Sequence, residues 1–91
     1  MKLRYLNLEE EIYKVFEHIE IMILKADQID GSDALQKQIN IVNYTGKYMM
    51  TSREAFYRNS NYSREFIDEQ FTKGRDYLVN HLIPRMEKKN H

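Results

Sequence analysis

Between Leu35 and Phe56 the chain carries a seam whose spacing is four, three, four, three, four and three residues without a slip: Leu35, Ile39, Val42, Gly46, Met49, Arg53 and Phe56. That rhythm averages the helical period and is incompatible with the period of two that a strand requires, so it predicts a long helix packed along one side, over residues 33 to 58. A second seam, Ile67, Phe71, Gly74, Leu78 and His81, repeats the rhythm, with Phe66, Tyr77 and Leu82 beside it. This predicts another helix over 63 to 83, where Pro84, lacking an N–H, ends or kinks it. About four polar residues join the two, a connection short enough to make them antiparallel neighbours. Folding the chain about position 60 sets Gly46 against Gly74, Val42 against Leu78, Met49 against Phe71 and Arg53 against Ile67. Two helix-interior glycines at one level cost about 1 kcal/mol each relative to Ala. They imply a close crossing or room for a bulky neighbour such as Phe16, with a ligand gap as the alternative.

Ahead of this hairpin, Leu8, Ile12, Val15, Phe16, Ile19, Met22, Ile23 and Ala26 recur at three and four, predicting a first helix over 8 to 28. Asn7 with Glu10 reads as its N-cap and capping box, Asp33 with Gln36 as those of the second helix, and Ser63 as the N-cap of the third, with Tyr62 stapled onto Ile67. Ile21 and Leu24 fall off the first stripe, and Asp30-Gly31-Ser32 breaks the helix. The expected fold is therefore all-α: a three-helix bundle built on the long antiparallel hairpin of helices 2 and 3, with helix 1 packed across it, in one domain spanning 1–91.

Lys plus Arg and Asp plus Glu number 14 each, so no net field steers the chain toward nucleic acid or an anionic membrane. The absence of Cys excludes disulfide frameworks and thiolate chemistry and fits a reducing, cytoplasmic setting. Glu9-Glu10-Glu11 close behind the N-terminus excludes a signal-peptide core, and the longest apolar run, Ile21 to Leu24, is far shorter than a membrane span. Lys, Ile, Asn and Tyr make 31 of 91 residues while Ala, Gly and Pro make 7, the bias of AT-rich coding sequence found in many phages, mobile elements and low-GC bacteria.

Catalytic and metal-binding patterns are not evident. His18 and His81 have no Asp, Glu or His three or four positions away, and an EF-hand register on Gly31 would place Ala26 and Lys37 at ligand positions. His81 reads as a core histidine. Arg53, on an apolar seam, needs a carboxylate from Glu65, Asp68 or Glu69, or else serves an anionic group of a ligand or partner. No cofactor and no enzymatic activity are expected. Tyr44, Tyr48 and Tyr57 lie off or beside the second seam, and Tyr is an efficient interface residue, as are Met and Arg. The expected function is that of a small accessory or inhibitory protein, such as a phage encodes, that binds a larger protein. Tyr44, Tyr48 and Tyr57 would be its anchors and Arg53 and Arg58 its polar contacts, and a homodimer would cover the surplus apolar surface. The alternative is a nucleic-acid-binding regulator using the Arg and Tyr residues from Arg53 to Arg64, with Arg85, Lys88 and Lys89 adding charge at the other end.

Overall fold

Local signals set the helix ends. Ser63 caps the third helix, its Oγ accepting the Phe66 N–H at 3.1 Å, and Gly31 takes the turn before the second helix at φ +114°, where a side chain would be strained. In the computed structural model, which describes residues 2–85, the resulting elements are α1 (Glu10–Asp27), α2 (Ala34–Asn59) and α3 (Arg64–Tyr77). A 3-10 turn (Lys2–Leu6) precedes them, and a wide π turn (Leu78–Leu82) extends α3 before the helix resumes as far as residue 85. Among the described residues there is no strand, and the molecule is an all-α three-helix bundle, 46 × 24 × 15 Å along its principal axes.

Two of the three expected caps differ in detail. Glu9, not Asn7, is the N-cap of α1, with its carboxylate accepting the Glu11 N–H at 2.8 Å. Asn7 instead takes the left-handed conformation, φ 53°, that its short polar side chain tolerates, and turns the chain out of the 3-10 segment. Asp33 makes no capping hydrogen bond; its carboxylate is engaged by Lys37 at 3.5 Å. Tyr62 meets the ring of Phe66, 5.1 Å away, and is half-buried against the core.

The core is built chiefly from α1 and α3. Ile12, Phe16, Ile19, Ile23 and Ala26, all on the expected stripe, pack with Ile67, Phe71, Leu78 and Leu82, and Leu3 of the 3-10 turn closes one end. Gly74 is the crossing point: a Cβ there would lie 2.4 Å from the Phe16 ring, so the missing side chain is the space Phe16 occupies. Gly46 has no neighbour within 4 Å of such a Cβ, and the two glycines do not share a level. The hairpin register is displaced, with Phe56 against Phe71 at 5.9 Å and the Tyr57 hydroxyl donating to Asp68. Extended backbone at both Ser60 and Ser63 centres the connection beyond residue 60, which slides α3 along α2.

α2 also departs from its expected orientation. Its fully buried residues are Gln38 and Thr45, one step off the apolar seam, while Leu35 and Ile39 of the seam are exposed. A helix serving two neighbours turns the bisector between them toward the core. Here Tyr48 leans to α1, where it meets His18 at 5.2 Å, and Phe56 leans to α3. The buried polar atoms are accommodated locally: Gln38 Nε2 donates to the Ala26 carbonyl at 3.1 Å and Thr45 Oγ1 to the Val42 carbonyl at 2.7 Å.

Pro84 neither ends nor breaks the helix at Ile83. The Ile83 N–H reaches back five residues to the Leu78 carbonyl, and this wider turn relieves the clash that a proline ring makes with a regular helix. The extra residue resets the phase of the seam from His81 to Leu82, so Leu82 is buried and His81 is exposed, its ring centre 6.0 Å from that of Tyr77.

Candidate interaction surface

α2 is the longest helix and the least covered. No apolar side chain on it is fully buried, whereas Leu35 is 63% and Met50 61% exposed, with Ile39 and Tyr44 also open to solvent. Along its α3 side runs a groove of about 280 Å³. Ile23 forms its floor, Val42, Gly46, Met49 and Met50 one wall, and Leu78, Val79 and Ile83 the other. The groove exists because Gly46 presents no side chain and the π turn carries the far wall, and among its described lining residues Arg75 is the one with a charge.

The five residues singled out in the sequence do not form one patch. Tyr44 is exposed and stacks on Tyr48, 6.4 Å away with planes 23° apart, but Tyr48 itself is half-buried against the core and His18. Tyr57, half-buried on the opposite flank, has two guanidinium groups over its ring, Arg64 at 4.4 Å and Arg53 at 5.9 Å from its centre. Its hydroxyl donates to Asp68, which, with slight burial, raises the phenol above its usual range. Arg58 is exposed on the outer face. Among the described residues Arg53 forms no salt bridge with Glu65, Asp68 or Glu69; Asp68 accepts from Tyr57 and Glu69 pairs with Lys73 at 3.5 Å. Arg53 Nε is buried without a hydrogen-bond partner among the described residues. Lys88 and Lys89 lie outside the described residues.

A further polar pair escaped sequence reading. Glu20 is only 2% exposed and accepts the Tyr77 hydroxyl at 2.5 Å, linking α1 to α3. Burial and then the Glu20 carboxylate push the Tyr77 phenol up to about 12. Gln70, also buried, accepts the Glu9 N–H at 2.7 Å and so orients the start of α1. At Glu9 slight burial opposes ionisation but is outweighed by the Tyr62 hydroxyl and the N–H groups of the first helical turn, so its carboxyl lies below the usual range. Glu20, four residues after Phe16 and three before Ile23, and Gln70, three after Ile67 and four before Gly74, sit at helical spacing from core positions, and that spacing is the available signal.

Among the described residues no group of three or more His, Cys, Asp or Glu side chains is placed to hold a metal ion, and no helix is long and apolar enough to cross a membrane. Comparison with protein families, with curated proteins and with solved structures finds no match.

Proposed function

We propose that this protein is a non-enzymatic interaction module, a small accessory protein that acts by binding a larger protein through α2. The observation that carries this reading is a helix of 26 residues whose fully buried positions are a Gln and a Thr, whose Tyr48 and Phe56 are only half-buried against the core, and whose Leu35, Ile39, Tyr44 and Met50 are open to solvent. An apolar helix face left uncovered by its own fold is an interaction surface by the ordinary logic of helix amphipathicity. The contact centre moves from the tyrosines to the strip Leu35, Ile39 and Met50, with exposed Tyr44 on the other flank.

The test is affinity capture from lysate with the intact chain and with an Ile39→Ser, Met50→Ser double variant, whose substitutions lie at exposed positions and are expected to leave the helical circular dichroism unchanged. Capture of a discrete protein that the double variant loses supports the reading. The nucleic-acid alternative draws on the cluster of Arg53, Tyr57 and Arg64 with exposed Arg58 at the α2–α3 turn. Binding to nucleic acid that falls steeply with salt and is lost in Arg58→Ala, with no α2-dependent protein capture, replaces the first reading by this one.

A further inference from the structure

The charge of α2 is one-sided. From Ala34 to Asn59 it carries Lys37, Lys47, Arg53 and Arg58 against a single acid, Glu54. One helical turn beyond Met49 and Met50, Arg53 holds a buried Nε without a hydrogen-bond partner among the described residues, and the charged side chain on the groove itself is again a guanidinium, Arg75. An apolar trough flanked by methionines, with Arg75 on its lining in an exposed pair with Asp76 and Arg53 one turn beyond it, matches the apolar face of a helix whose remaining side chains are acidic, since such a helix buries its apolar stripe and brings carboxylates to the two guanidinium groups. A second copy docked α2 to α2 sets like charges against each other.

We propose that the groove between α2 and the π turn receives an acidic amphipathic helix of the partner protein, its apolar face seated over Gly46 and a carboxylate pairing with Arg53. The assignment rests on α2 being the interaction surface and specifies what that surface takes.

The probe is a fluorescein-labelled peptide of about 18 residues, roughly 27 Å of helix, with leucines on one face and glutamates elsewhere. A second peptide has lysine for every glutamate. Both are titrated against the full chain by fluorescence anisotropy. The acidic peptide is expected to bind at least about tenfold more tightly than the basic one, a difference of about 1.4 kcal/mol. Gly46→Leu, which fills the trough at a position with no neighbour within 4 Å of a Cβ, is expected to weaken acidic-peptide binding by a similar factor while keeping the helical fold. Val79→Glu, on the exposed opposite wall, does the same by charge. Equal or stronger binding of the basic peptide overturns the proposal, as does acidic binding indifferent to both variants. Self-association in light scattering that Gly46→Leu abolishes makes a second copy the occupant; the proposal then falls while the interaction reading stands. If neither peptide binds, yet lysate capture still depends on Ile39 and Met50, the groove assignment alone fails.

Discussion

Gly46 and Gly74 are indistinguishable in the sequence, each set on a seam beside apolar neighbours, yet their surroundings predict opposite responses to the same substitution. Gly46→Ala adds a methyl group to open space in a helix interior and is expected to raise stability by about 1 kcal/mol. Gly74→Ala drives a Cβ into the Phe16 ring and is expected to lower stability by about 1–3 kcal/mol, both read from urea unfolding midpoints. Tyr48 and Tyr44 form a similar pair. Truncation of half-buried Tyr48 to Ala should cost stability, about 1–2 kcal/mol, whereas Tyr44→Ala should leave the midpoint within about 0.5 kcal/mol. Tyr77 supplies a pH test. Its folded pKa, about 12, lies above the unfolded value near 10, so the neutral phenol is favoured by folding. The stability it contributes is complete below about pH 10 and is lost between there and about pH 12. Tyr57 and Tyr62 are raised as well, so absorbance titration of phenolate should show more than one late tyrosine, and Tyr77→Phe should remove the component at about pH 12. None of these distinctions is visible in residue type or spacing, because each depends on which side chain of another helix arrives at the position.

Helix number, type and order were legible because apolar spacing reports a buried stripe directly, and predicted ends agree with the observed ones to within a few residues for α1 and α2. Rotation and register were not. The apolar stripe of α2 is wide enough to be turned by one residue at little cost, and contacts with two neighbours decide the turn. The register of α2 on α3 depends on backbone angles at Ser60 and Ser63, which sequence leaves open. The caps separate a working signal from a look-alike: Ser63→Ala, which removes a hydrogen bond to the Phe66 N–H, should cost about 1 kcal/mol. Asp33→Ala, which removes only an exposed ion pair, should cost about 0.5 kcal/mol or less, as thermal melts of the two variants will show. The π turn is a third lesson, since a seam carried forward at three and four names His81 as core and misses the residue that Pro84 inserts.

For the whole molecule, the interaction reading was reached in sequence from surplus tyrosine, but the open face of the bundle is defined by Leu35 and Ile39, which the seam had assigned to the interior, together with Met50 beside it. The sequence cannot say which of two apolar edges a helix keeps for its own fold. That α2 keeps so little has a kinetic consequence. Amide protection follows the local density of buried contacts, so in native-state hydrogen exchange α1 and α3 should exchange only by global unfolding. The first half of α2, around Leu35 and Ile39, should exchange through smaller, faster openings. Whatever seats on it must first find it closed, and its apparent affinity is reduced by the fraction of time it is open. A bound partner therefore acts as the missing wall of the bundle, and slowing of amide exchange confined to α2 would be the earliest sign of its arrival.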